Sequence, residues 1–102
     1  MTETQTAPGA AEGPVIRHLR IVNEKGLHAR ASAKFVECVE AHDANATVLR
    51  DGLSAPGESL MGLLMLAASK GTEIELHTEG PEAAALADAL EALVANRFGE
   101  PM

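Results

Sequence analysis

The segment Gly26-Leu27-His28-Ala29-Arg30 puts an imidazole and a guanidinium two positions apart, behind a flexible glycine and at the entrance of a stretch with helical apolar spacing. Imidazole is a nitrogen nucleophile and its phosphoramidate is labile, so a histidine in this place suits the temporary carriage of a phosphoryl group. The first N–H groups of a helix lack intrahelical partners and lie at the positive end of its macrodipole, so a phosphoryl oxygen can be held there without a cavity. Arg30 adds a permanently charged fork suited to phosphate oxygens, and Lys25 brings a further positive charge. An ordinary exposed histidine that tolerates a helix start would show the same segment, and local chemistry leaves both readings open. His18, His42 and His77 lack these neighbours and are expected to be surface residues. No pair of His, Cys or carboxylate side chains near His28 has a metal-ligand spacing, so neither a metal nor a cofactor is expected.

Seven elements are needed to position this segment. Val15 to Asn23 alternates with Leu19 and Ile21 on one face, the pattern of a half-buried strand, and Gly26 breaks it. From Ala29 to about His42, Ser32, Phe35, Val36 and Val39 recur at helical spacing, with His28 at the helix start. Asn45 to Arg50 alternates again, and Asp51-Gly52 is a hairpin signal because both residues tolerate positive φ. The return strand, near Leu53 to Ala55, meets Pro56, which cannot donate to a ladder and points to a sheet edge. Ser59 is a good N-cap for a short helix to about Ala68, Thr72 to Thr78 is a strand with Ile74 and Leu76 inward, and Pro81 suits the first position of a last helix. That helix carries the stripe Ala83, Leu86, Leu90, Leu93 and Val94 and ends before Gly99 and Pro101. The expected class is α+β, an antiparallel or mostly antiparallel sheet covered on one side by helices.

Between Ser59 and Ala68 the apolar residues point in nearly every direction around a helix, of which a sheet can cover only part. With Leu63 and Leu66 inward, Leu60, Met61 and Leu64 are left facing solvent, as on a partner-docking surface, unless neighbouring loops or the last helix cover them. Ser59 is first of all a cap, and a phosphate there would gain from the helix dipole while placing negative charge beside that patch.

The chain has 102 residues, enough for one core, and Met1 to Gly13 reads as a tail, leaving 14–102 as the domain. Hydrophobic residues make up 46% with no Trp or Tyr and two Phe, so base stacking is not expected. A formal charge of −7 repels nucleic-acid phosphates and anionic lipid, and favours a basic partner surface. Cys38 is the single cysteine and is read as a small apolar helix residue in a reducing compartment. Neither a signal peptide nor an apolar run long enough to span a bilayer is seen, so a cytoplasmic protein without membrane insertion is expected, and a monomer.

Three segments, Gly-Leu-His-Ala-Arg at 26–30, Ser-Leu-Met-Gly at 59–62 and Lys-Gly-Thr-Glu-Ile at 70–74, together make the chain resemble the HPr family. These are the histidine-containing phosphocarrier proteins of the bacterial phosphoenolpyruvate-dependent phosphotransferase system. The likeness runs from about Val15 to Phe98. It implies an open-faced β-sandwich in which a four-stranded antiparallel sheet, ordered 1-4-2-3, is covered on one face by three helices. It also implies that His28 is phosphorylated on Nδ1 by enzyme I and passes the group to IIA-type proteins or domains, with Arg30 beside the phosphate. By the same matching, Leu60, Met61 and Leu64 dock both partners, and Ser59 is the target of an HPr kinase/phosphorylase. Ala31 stands where the family often has a proline, Glu58 replaces a common lysine before the serine, and the tail is longer than usual.

Function hypotheses from three classes follow. A phosphoryl relay through His28 leads. A regulatory binding module, either of the nitrogen-type branch of such systems or switched by Ser59 phosphorylation, is the alternative to a sugar-uptake carrier. A stand-alone enzyme is least favoured, because only Arg30 and Lys25 lie close to His28 in sequence to assist it.

Overall fold

The computed structural model describes residues 13–102, and the expected tail therefore lies, except for Gly13, outside the described residues. Four strands form the sheet: β1 (Val15–Arg20), β2 (Asn45–Arg50), β3 (Leu53–Pro56) and β4 (Glu73–Glu79). Every pairing is antiparallel and the spatial order is β1-β4-β2-β3, so Pro56 does sit on an edge strand. Three helices complete the fold: α1 (Ala29–Glu40), α2 (Leu60–Met65) and α3 (Ala83–Ala95).

Strand period decides which side the helices cover. Leu19, Ala46, Val48, Ala55, Ile74 and Leu76 lie on one face and are all buried, together with Phe35 and Val39 from α1, Leu63 from α2 and Leu86, Leu90 and Val94 from α3. His18 and Glu73 alternate to the open face and stay exposed. Arg17 points to the helical side, where it reaches Asp88 at 3.0 Å and Glu91 at 2.6 Å and clamps β1 to α3. The hairpin between β2 and β3 turns through Asp51 at φ 49° and Gly52 at φ 82°, the pair of positive angles that its residues favour.

Element boundaries depart from the sequence reading where side chains from distant elements intervene. β1 ends at Arg20, although Ile21 still donates its N–H to Thr72 O at 2.9 Å and is fully buried. α2 stops at Met65, short of Ala68, because Ala67 turns the chain at φ 52° while the Leu66 carbonyl accepts from Arg50 Nη1 at 2.9 Å. Pro81 is not the first residue of α3. It lies in a turn closed by Ala83 N–H on Gly80 O at 3.1 Å, and the helix starts after it with Glu82 as N-cap. α1 ends at Glu40 rather than His42, whose Nδ1 lies 2.8 Å from the Cys38 carbonyl.

The last difference matters most for the site. After α3 the chain takes a tight turn over Arg97–Gly99, with φ 57° at Arg97, 55° at Phe98 and 79° at Gly99. Left-handed angles at a branched or aromatic residue are unfavourable by themselves, and here they place the Phe98 ring in the core at 1% exposure. No helix among the described residues is long and apolar enough to cross a membrane.

Candidate functional site

His28 is the N-cap of α1, with extended backbone angles of φ −78° and ψ −176°. Its carbonyl accepts the first intrahelical bond, from Ser32 N–H at 2.8 Å, and its ring turns back so that Nδ1 accepts from Arg30 N–H at 3.3 Å. Histidine here takes the capping role that Ser, Asp or Asn usually fill. The loop before it is locked by Gly26 at φ 67°, where a Cβ would come within 2.6 Å of Ala68 O and 2.8 Å of Ser69 Cα. Next to it, Leu27 N–H donates to Ala68 O at 2.9 Å, so the histidine loop is stitched to the segment that follows α2. Ser32 Oγ donates to Leu27 O at 3.1 Å from inside the first turn.

The other ring nitrogen meets a carboxylate. His28 Nε2 lies 2.5 Å from Glu100 Oε2, and Glu100 Oε1 accepts from Asn23 Nδ2 at 2.9 Å. Asn23 is fully buried, and its same amide nitrogen donates to Gly26 O at 2.8 Å. Burial pushes the Glu100 carboxyl up, but hydrogen bonds from Asn23 and His28 outweigh this and hold its pKa below the usual value. An ionised carboxylate only accepts, and Nδ1 faces a donor, so both contacts require the same tautomer: proton on Nε2, lone pair on Nδ1. Lys25 and Arg30 are exposed and line the cleft that holds His28 and Glu100.

α2 lies next to this cleft. Leu64 lines a shallow hollow shared with Lys25 and His28, while Leu60 is 41% and Met61 68% exposed. Ser59 caps α2 by accepting from Gly62 N–H at 3.0 Å. Leu63 and Leu66 face inward as the spacing requires. Met65, 74% exposed, extends the same apolar surface beyond Leu60 and Met61.

A family model described as the PTS HPr component phosphorylation site matches residues 15–96. The chain belongs to the HPr family. Among its relatives, phosphocarrier protein HPr of Cupriavidus necator is 44% identical over 84 residues, covering 82% of this chain and 94% of that protein. HPr of Pseudomonas aeruginosa is 45% identical over 83 residues, covering 80% of this chain and 92% of that protein. The crystal structure of HPr-C-His from Thermoanaerobacter tengcongensis superposes with a TM-score of 0.82 at 31% identity, covering 86% of this chain and 99% of that one. The open sheet with strand order 1-4-2-3 and three helices is thus an HPr fold, and the chain is a phosphocarrier-type protein of the phosphotransferase system.

Within that HPr frame, the structure brings His28, Arg30, Lys25 and Leu64 to one end of the molecule, with Leu60 and Met61 exposed on the neighbouring helix. Ala31, where the family often has proline, is fully buried in the first turn of α1 and serves there as a good helix former. Glu58 is exposed just ahead of the Ser59 cap. Asn23 and Glu100 are the site residues that sequence reading missed. Glu100 lies 72 positions from His28 and beyond the matched residues 15–96, so no local spacing signals it. Cys38 takes no part in the cleft, and burial pushes its thiol pKa up, away from the reactive thiolate.

Proposed function

We propose that this protein accepts a phosphoryl group from phosphorylated enzyme I on Nδ1 of His28 and passes it to IIA-type acceptors of the phosphotransferase system. The observation that carries this reading is the direction of Nδ1, which faces the first N–H groups of α1 across a long 3.3 Å contact from Arg30. Such a contact is weak, so the lone pair is available to an incoming phosphorus. As the N–P bond forms, the Arg30 N–H is released to a phosphoryl oxygen, where the positive end of the helix and the Arg30 guanidinium favour the new charge. Lys25, at the rim of the same cleft, adds attraction for the anion. A half-buried histidine opening on a cleft, beside the apolar residues Leu60, Met61 and Leu64, suits a group that is handed from one protein surface to another.

The reading makes the chain a relay instead of a stand-alone catalyst, acting in the cytoplasm with 14–102 as the working domain and 1–13 as a tail. Ser59 is its regulatory position: a phosphate on Oγ, at the start of α2 and next to Leu60 and Met61, would set a double negative charge on the docking face. An HPr kinase/phosphorylase is the corresponding partner. Enzyme I with labelled phosphoenolpyruvate should give an acid-labile phosphoprotein, and His28→Ala should abolish the label. Absence of label on the native chain, beside a labelled control carrier, rules the relay out.

A further inference from the structure

The segment after α3 is built at some cost in backbone strain, and what it delivers to the site is one carboxylate. Arg97, Phe98 and Gly99 all take left-handed angles, two of them at residues that resist it. Three fasteners hold the segment down. Phe98 is buried in the core, its carbonyl accepts from Lys34 Nζ of α1 at 2.7 Å, and Met102 O accepts from Glu24 N–H at 3.0 Å. Between these points Glu100 is aimed at His28 Nε2 and steadied from the other side by the buried Asn23 amide. The Glu100 side chain keeps only 12% of its exposure and that of His28 26%, so water competes poorly for the contact.

We propose that Glu100 is a positioning residue for phosphoryl transfer, fixing the His28 ring with its lone pair on Nδ1 and balancing the charge that the ring gains when Nδ1 is phosphorylated. This inference rests on the relay reading above. The balance is simple. The Nδ1 lone pair attacks the donor phosphorus, the bond from phosphorus to the donor breaks, and the donor keeps that electron pair. No proton has to leave the ring for the bond to form. The ring retains its Nε2–H and carries a positive charge, which the Glu100 carboxylate meets through an existing hydrogen bond, much as a buried aspartate holds the histidine of a hydrolytic triad. Release of the phosphoryl group reverses the step and returns the neutral ring with the same tautomer. Arg30, Lys25 and the helix start lie on the cleft as well and offset the repulsion between Glu100 and the arriving phosphoryl oxygens.

The contact sets the tautomer through two constraints that agree. Without Glu100 only the modest intrinsic preference of a neutral histidine for Nε2–H and the weak Arg30 N–H contact would favour the lone pair on Nδ1, and the share of the other tautomer would rise. Gln in its place has an acceptor oxygen on one side only and an NH2 donor on the other. Asn23 Nδ2 and His28 Nε2–H meet different oxygens of Glu100, and a glutamine puts an NH2 donor in place of one of them, so removal of charge alone disturbs the ring.

The test compares the native chain with Glu100→Ala and Glu100→Gln in two measurements. Long-range proton–nitrogen spectra of the unphosphorylated proteins report the ring: native His28 should show the proton on Nε2, and Glu100→Ala a mixture of both tautomers. Steady-state transfer from phosphorylated enzyme I should show kcat reduced by about ten- to a hundredfold, the weight of one charge-assisted hydrogen bond in a rate. KM should stay unchanged, because the exposed face of α2 is untouched. Phe98 remains in place in both variants, and a single cooperative unfolding transition with the native urea slope confirms that the turn is intact. A native kcat in Glu100→Ala overturns the proposal, and so does an unaltered ring spectrum. If enzyme I fails to label even the native chain, the relay reading falls, while the spectra still decide whether Glu100 holds the ring.

Discussion

Gly26→Ala tests whether the histidine loop is held by close backbone approach to the segment that follows α2. Two terms add. At φ 67° an alanine costs roughly 1–2 kcal/mol for the left-handed backbone alone. The new Cβ would also stand 2.6 Å from Ala68 O and 2.8 Å from Ser69 Cα, both main-chain atoms that cannot rotate aside. Relieving that overlap moves the loop away from Ala68 and lengthens the Leu27 N–H bond to its carbonyl, worth about 1 kcal/mol. The sum is about 2–3 kcal/mol, or a melting temperature lower by roughly 8–24 °C for a domain of this size. Gly52 supplies the control, since it has φ 82° with nothing within 4 Å of its added Cβ, so Gly52→Ala should lose only the backbone term of about 1–2 kcal/mol. Urea unfolding of both variants, read as midpoints at constant slope, gives the difference directly. The phosphorylation rate of the folded fraction should fall for Gly26→Ala and not for Gly52→Ala. Equal losses in stability at the two glycines would refute the reasoning.

Three further outcomes are expected. Ser59→Ala leaves the Gly62 N–H of a six-residue helix without its side-chain partner and should lower stability by about 1 kcal/mol in thermal or urea unfolding. Met61→Glu, at a residue 68% exposed, should leave melting unchanged while raising KM for the phosphoryl donor or acceptor roughly tenfold or more; an unchanged KM would remove Met61 from the docking face. For pH, the hydrogen bond from His77 holds the Glu75 carboxyl below its usual value, and at Glu100 the bonds from Asn23 and His28 outweigh the upward push of burial. The unfolded chain therefore binds protons first on acidification. The stability from these groups is complete above the unfolded carboxylate value and is lost as pH falls through the folded one. Glu100→Gln should make the acid limb of the stability–pH curve shallower, and an unchanged limb would count against the Glu100 contacts.

What could be read in the chain itself was local or periodic. His28 at a helix start with Arg30 behind it, Ser59 as a cap, the Asp51-Gly52 hairpin and the inward sets Leu19, Ile74, Leu76 and Leu86, Leu90, Val94 are all expressed within a few residues of one another. Backbone angles, side-chain alternation and capping bonds act over that same range, so sequence spacing reports them. Binary pattern also marked which face of α2 is left to solvent, although Met65 joins it.

Tertiary packing decided the rest. α2 ends early because Arg50, from the hairpin, takes the Leu66 carbonyl and Ala67 adopts a conformation its own type disfavours. The turn at Arg97 and Phe98 contradicts local preference for the same reason, since burial of an aromatic ring outweighs the strain of two left-handed residues. That turn is what carries Glu100 across 72 positions to His28. The chain alone therefore determined that a histidine stands at a helix start with an arginine two positions on. Which ring nitrogen presents its lone pair depends also on a carboxylate brought in from a distant segment, because a hydrogen bond is set by distance and direction in space and leaves no spacing in the sequence.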